Sequence, residues 1–153
     1  MGNAITELFS NRVLIPALVS WAVAQVIKTI LYAIVHKEIS LDRLFGDGGF
    51  PSGHSATVTA LAISTAFIYG LGSFEFAVTA ILAIVVMHDA MGVRLETGKQ
   101  AKIINDIVEF FDKAGSDLTD EEKLKELVGH TPLQVIAGFL LGVVVAFLMR
   151  PVA

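Results

Sequence analysis

The sequence has no cysteine and few charged residues, and each shortage excludes a class of function. Without cysteine the chain has no disulfide, no thiolate metal ligand and no cysteine nucleophile. Charged residues are 17% of the 153 residues, compared with about 25% in an average soluble protein. The formal net charge is −4, and no stretch interleaves basic with aromatic residues, so we do not expect nucleic-acid binding.

Hydrophobic residues instead make up 54% of the chain, and four long segments hold most of them. These segments cover residues 13–35, 48–74, 76–93 and 127–149, and a bilayer crossing needs about 20 such residues. A soluble bundle would need a polar outer face on each helix, which these segments lack. The sequence therefore predicts an all-α integral membrane bundle, a single domain over residues 1–153. Its four transmembrane helices are predicted at about 13–35, 54–72, 75–92 and 131–149.

Most of the charge lies between the third and fourth predicted helices, where fifteen charged residues fall between Arg94 and Glu126. We predict a helical insert there, over about 94–129. Its first part has apolar residues at helical spacing, which predicts an amphipathic helix that lies at the headgroup boundary or packs on the bundle. Thr119 and Glu122 form a capping box that predicts a second, shorter helix. The apolar positions are Ile103, Ile104, Ile107, Val108 and Phe111.

Basic residues are divided unequally between the two sides of such a bundle. Eight lie in the loop after the first helix and in the insert, whereas Arg12 and Arg150 lie on the other side. Because positively charged loops stay in the cytoplasm, we predict a multi-pass protein of the cell membrane with the insert facing the cytoplasm. The first helix lacks a preceding basic segment and contains Lys28, so we predict that it is retained and not cleaved.

A few ionisable residues interrupt the predicted spans, where they are costly and are candidates for function. All of them are predicted to lie at one membrane face. Gln25 and Tyr32 share the helix face of Lys28, which places that face in the bundle interior. The ionisable residues are Lys28, His54, His88, Asp89 and, at the start of the fourth helix, His130.

Two of these histidines lie beside predicted helix N-termini, which favour bound anions. The two starts are Ser52-Gly53-His54 and His130-Thr131-Pro132, with serine and threonine suited to the N-cap position and proline suited to the first turn. Lys28 and Arg94 add two fixed cations. This combination is suited to a tetrahedral phosphoryl oxyanion.

Several of these residues also have a purely structural interpretation. Asp89 would then pair with Arg94 or Lys28. His88 points about 100° away from Asp89 on a helix, so we rank it below the other two histidines. Gly138 and Gly142 form a G-x-x-x-G pair that permits close helix contact, either within the chain or between two copies in a homo-oligomer.

Three motifs resemble those of a known superfamily. The segment Pro51-Ser52-Gly53-His54 resembles the second signature motif of the phosphatidic acid phosphatase type 2 superfamily, which also contains acid phosphatases and vanadium haloperoxidases. The segments 89–94 (D-A-M-G-V-R) and 129–132 (G-H-T-P) follow it in the order found in the small, divergent membrane branch. The resemblance covers most of the chain.

This resemblance implies metal-independent hydrolysis of a phosphate ester through a phosphohistidine, with no cofactor. Because the predicted site lies at a membrane face, we expect the substrate to be a lipid or isoprenoid phosphate monoester. The resemblance also implies that His130 is the nucleophile and His54 the general acid, and Asp89 is a further catalytic candidate. The implied phosphate-binding residues are Lys28, Arg94, Ser52 and Gly53. The partners would be a phosphorylated substrate and the surrounding membrane lipids.

The chain also departs from the superfamily pattern. No R-P pair follows Lys28 at the expected spacing, Arg94 is separated from His130 by the insert, and Gln134 stands where an acidic residue would orient the histidine. Glutamine accepts a hydrogen bond but does not stabilise imidazolium as a carboxylate does; Asp89 would take that role if it lay near His130. A non-catalytic membrane protein that retains a phosphate pocket is therefore the alternative function, and a transporter or a haloperoxidase fits less well.

Overall fold

The structure, a computed structural model, describes residues 2–38, 49–113, 124 and 129–150. Within these ranges the regular elements are all helices, which confirms the predicted all-α class. The helix predicted to start at Thr119 lies outside the described residues. The helices are α1 (Gly2–Phe9), α2 (Leu14–His36), α3 (Gly53–Tyr69), α4 (Phe74–Met91), α5 (Val93–Lys113) and α6 (Pro132–Leu148).

The four predicted spans correspond to α2, α3, α4 and α6, with small differences at the ends. The largest is at the end of α3, which was predicted to reach residue 72 and ends at Tyr69. Gly70 has φ of +85° and donates its backbone N–H to Ala66 O, so a glycine in a left-handed conformation ends the helix there. The short helix α1 was not predicted.

Helix α3 is the centre of the bundle, since it packs against α2, α4 and α6. The side chains at its contacts are small: Ala24, Ala56 and Ala60 are fully buried. Large apolar side chains lie outside instead, with Val35 73% and Leu148 81% exposed. Small residues between helices and large apolar residues on the outer surface are typical of a bundle surrounded by lipid.

Two helical stretches are long and apolar enough to cross a bilayer by length and composition, Leu14–His36 and Phe74–Phe111. Pro132–Leu148 is a shorter apolar helix. Helices α3 and α6 have 17 residues each, which corresponds to about 26 Å, slightly less than the ~30 Å hydrocarbon core. A membrane helical bundle is therefore supported, and four crossings remain a prediction.

The predicted amphipathic helix is present as α5, which begins directly after Gly92 and contacts α4. Its apolar residues Ile103 and Ile107 are at least half exposed. Asn105 exchanges two hydrogen bonds with the backbone of Leu124, of 2.9 and 3.0 Å. Leu124 is thus attached to α5 through the Asn105 side chain.

The G-x-x-x-G pair of α6 packs against α3 of the same chain. A Cβ atom at Gly138 would collide with the carbonyl oxygen of Ser52, and one at Gly142 would lie 2.5 Å from that of Ala56. Of the two alternatives open from the sequence, the structure supports contact within the chain. The two glycines therefore let α6 approach the backbone of α3 closely.

We expect Gly142→Ala to lower the free energy of unfolding by about 1–3 kcal/mol, because the methyl group would press on the backbone of the central helix. Gly72→Ala is the matched control, since nothing lies within 4 Å of a Cβ at Gly72. The measurement is the denaturation midpoint of both variants in detergent. Equal midpoints would contradict this account of the α3–α6 contact.

Candidate functional site

The turn before α3 is joined to the start of α6. The Ser52 side chain caps α3 by accepting the Ser55 backbone N–H at 3.3 Å, and it also accepts the Ser55 hydroxyl at 2.9 Å. The Ser52 backbone N–H donates to Gln134 O at 3.0 Å. The predicted N-cap role of Ser52 is confirmed, and the two helix N-termini of the candidate site lie side by side.

Lys28 lies at the first turn of α3, although it comes from the middle of α2. It is buried, with 7% of its surface exposed. Its side-chain carbons lie beside Gly49, and its Nζ lies 3.7 Å from the position that a Cβ of Gly53 would take. The lysine ammonium and the positive end of the α3 dipole are therefore close together, an arrangement that attracts an anion.

His130 is held at the junction of α4 and α5. It is 2% exposed, and its backbone N–H donates to Ala90 O at 2.9 Å. The preceding Gly129 has φ of +86°, and a Cβ there would collide with the backbone at Leu95 and Arg94. Only glycine fits against this backbone, so the loop brings His130 close to Arg94 despite the long insert between them.

The side chain of Gln134 orients the His130 ring. Its Oε1 accepts the Thr131 backbone N–H at 3.0 Å and lies 3.2 Å from His130 Nδ1. An amide oxygen only accepts hydrogen bonds, so Nδ1 is the protonated nitrogen. In the neutral ring Nε2 then carries the lone pair, which is the tautomer that a nucleophilic histidine needs.

The same glutamine completes the start of α6. Thr131 accepts the Gln134 backbone N–H at 3.4 Å, and Pro132 occupies the first turn. These contacts form a capping box, which confirms the predicted N-cap at Thr131. Gln134, seen from the sequence as a departure from a motif, therefore acts both on the helix and on the histidine.

His54 faces His130 across the site. The two ring centroids are 6.2 Å apart and the ring planes are inclined by 60°. His54 is exposed whereas His130 is buried. One phosphoryl group with its ester oxygen would span the distance between the two rings.

Arg94 and Asp89 form an ion pair at the edge of this site. Arg94 Nε donates to Asp89 Oδ2 at 2.7 Å, and the side chains are 50% and 41% exposed. This is the structural pairing that the sequence left open for Asp89, and the Nδ1 contact of His130 is made by Gln134. An exposed pair of this kind adds little stability, so its main effect is to restrict the position of the guanidinium.

The structure thus brings together most of the predicted site residues. Lys28, Ser52, Gly53, His54, His130 and Gln134 lie around the paired starts of α3 and α6. His88 is exposed near the end of α4. Sequence reasoning missed the Ala90 carbonyl, because a backbone carbonyl carries no motif of its own.

A cavity of about 210 Å³ opens beside Lys28 along the last turns of α2. Its walls include the apolar side chains of Leu31, Val35 and Phe50, together with Tyr32 and His36, whose rings stack at 4.1 Å.

Within the described residues no group of three histidine, aspartate or glutamate side chains is arranged to hold a metal ion.

Comparisons with known proteins identify related sequences. No solved structure matches the chain. A curated relative, the uncharacterized membrane protein YuiD of Bacillus subtilis (strain 168), is 39% identical over 152 residues, covering 94% of this chain and 96% of the relative. The family model described as the divergent PAP2 family matches residues 9–145, so the chain belongs to that family.

Proposed function

We propose that the protein is a membrane-embedded, metal-independent phosphatase that hydrolyses a lipid or isoprenoid phosphate monoester through a phosphohistidine on His130. The observation that carries the proposal is the environment of His130. It is buried, its Nδ1 is held by Gln134, and its ring lies 6.2 Å from that of His54. A second imidazole beside an oriented nucleophile is the arrangement that acid catalysis requires.

In the first step of the proposed reaction, the Nε2 lone pair of His130 attacks phosphorus and the bond to the ester oxygen breaks. Protonated His54 gives its proton to the departing oxygen, which leaves as an alcohol. In the second step, neutral His54 takes a proton from water as the water oxygen attacks phosphorus. The phosphorus–nitrogen bond breaks, and phosphate and free His130 result.

The phosphoryl oxygens would be bound by the cationic and backbone groups around the two helix starts. Lys28 and Arg94 supply positive charge, and Ser52 and Gly53 contribute at the N-terminus of α3. In this proposal Asp89 holds Arg94 in place through their 2.7 Å contact. An ester with an apolar organic part is favoured by the apolar walls of the cavity beside Lys28.

A test of this function uses the detergent-purified protein in a chelator, with phosphatidate, a polyprenyl phosphate and a water-soluble monoester as substrates. We expect phosphate release from the lipid substrates by the wild type. A non-catalytic phosphate-binding protein is the second candidate, favoured by Gln134 where a carboxylate would be expected. Binding of orthovanadate without turnover of any substrate would support that candidate and contradict ours.

The contact of Gln134 with His130 predicts in which direction a substitution of Gln134 changes the rate of phosphoryl transfer. Glutamate also completes a capping box, so Gln134→Glu keeps the helix start and places a carboxylate at His130 Nδ1. Since positive charge develops on His130 as it attacks, we expect phosphoryl transfer to become about tenfold faster. Gln134→Met, whose sulfur is only a weak acceptor, should be slower than wild type. Single-turnover rates measure both, and a folded Gln134→Glu variant no faster than wild type would contradict the role.

We further propose that the chain crosses the membrane several times with the site on the cytoplasmic side. Gly72 lies in the exposed turn before α4, and Lys102 is exposed on α5 beyond its other end. Because the chain has no cysteine, single cysteines report each position cleanly. A membrane-impermeant maleimide should label Gly72→Cys in intact cells and Lys102→Cys only after lysis. The reverse pattern would contradict the orientation, and labelling of both in intact cells would contradict the crossing of α4.

A further inference from the structure

Four buried polar atoms in the bundle have no hydrogen-bond partner within the described part of the chain. They are Ser20 Oγ and Gln25 Oε1 on α2, and Thr59 Oγ1 and Ser64 Oγ on α3. All four residues are at least nine-tenths buried. A buried polar group without a partner costs a substantial part of the free energy of unfolding, and lipid supplies no hydrogen bonds to relieve it.

The three hydroxyls differ from other hydroxyls in the same bundle. A hydroxyl inside a helix commonly donates to the carbonyl one turn earlier. Thr29, Thr57 and Thr65 do so, at 3.0, 2.8 and 2.8 Å. Ser20, Thr59 and Ser64 make no such bond within the described residues, so their oxygens are available to another partner.

The four groups lie at different distances from the candidate site along α2 and α3. Gly53 lies against Ala24 and Lys28 of α2, which sets the level of the site on both helices. Gln25 is close to this level, and Ser20 lies one turn below Ala24. Thr59 and Ser64 are about 9 and 16 Å further along α3 than Gly53. Thr59 also lies against Gly142, so the set borders α6 as well.

The chemistry of these groups is suited to water. Hydroxyl groups donate and accept, and the Gln25 oxygen accepts, so water satisfies all of them. No carboxylate is among them, which argues against a divalent cation. Their spread over two helices is too large for one ion.

We propose that bound water molecules occupy the buried contacts of α3 with α2 and α6, beside Ser20 and Gln25 on α2 and beside Thr59 and Ser64 on α3. These internal waters satisfy the four buried polar atoms in the interior of the bundle. The proposal is independent of catalysis, since it depends only on the burial and bonding of these groups.

The direction in which Thr59→Val changes the thermal midpoint tests the proposal. If the Thr59 hydroxyl binds water, Thr59→Val leaves that water short of a partner, and we expect the thermal midpoint in nanodiscs to fall by about 2–4 °C. If no water is bound to the hydroxyl, replacing it removes the free-energy cost of an unpaired buried polar group, so the thermal midpoint should rise. Thr57→Val is the matched control on the same helix, because its hydroxyl already bonds to Gly53 O. A midpoint that rises for Thr59→Val would overturn the proposal.

A second measurement does not depend on stability. Water-edited solid-state NMR transfers magnetisation from mobile or bound water to nearby side chains. We expect transfer to Ser20, Thr59 and Ser64 in the intact protein in lipid, and none to the lipid-facing Val144, which is 52% exposed on α6. No transfer to the three hydroxyl residues would overturn the proposal, whatever the phosphatase assay shows.

Discussion

Replacing His130 with alanine should reduce phosphate release by about a thousandfold or more, because the reaction loses the atom that attacks phosphorus. The substitution removes the ring that Gln134 orients and leaves the backbone bond to Ala90 in place. Substrate binding should survive, since Lys28 and the two helix starts remain. The measurement is the initial rate of phosphate release in detergent, with binding of orthovanadate as a check on the pocket.

His88→Ala is the matched control for this experiment. His88 is an exposed histidine near the end of α4, and it has no role in the proposed reaction. We expect this variant to keep the wild-type rate. Equal rates for wild type and His130→Ala would contradict the proposed nucleophile, and a loss in His88→Ala as large as that in His130→Ala would contradict its assignment to this one histidine.

His54→Gln should show an effect that depends on the leaving group. An alkyl alcohol leaves only with a proton, so the rate of bond cleavage for an alkyl phosphate should fall by at least about 100-fold without the general acid. The p-nitrophenolate ion leaves without protonation. We therefore expect the first-turnover burst of p-nitrophenol to change by less than about tenfold in the same variant.

The comparison of the two substrates is what identifies the acid. An equal loss of rate with both substrates would indicate that His54 positions the substrate or the fold and does not donate a proton. An unchanged rate with the alkyl phosphate would show that His54 has no role in the reaction. Circular dichroism of the variant confirms that the helices are retained in either case.

The local parts of this site could be predicted from the sequence, because each depends on residues close together in the chain. Ser52 and Thr131 were predicted to cap helices and do so through bonds spanning three residues. Hydrophobic runs predicted the bundle helices, and errors are confined to their ends. The end of α3 is an example: Gly70 stops the helix through its own backbone conformation, before the apolar pattern ends.

The long-range parts could not be predicted in this way. The bond from His130 N–H to Ala90 O joins two backbone groups far apart in sequence, and backbone groups carry no sequence signal. The contact of Gly129 with Arg94 and Leu95 depends on how the loop packs. Asp89 had three alternative partners in the sequence, and only the folded chain places it on Arg94.

The most direct test of the central claim is a rapid-quench experiment with ³²P-labelled lipid phosphate and the purified protein. A phosphohistidine is stable in alkali and is lost in acid, which separates it from phosphoserine and acyl phosphate. We predict an alkali-stable label on the peptide that contains His130 in the wild type, formed and lost at rates consistent with turnover. Turnover without such a label, or an equal label in His130→Ala, would contradict the account.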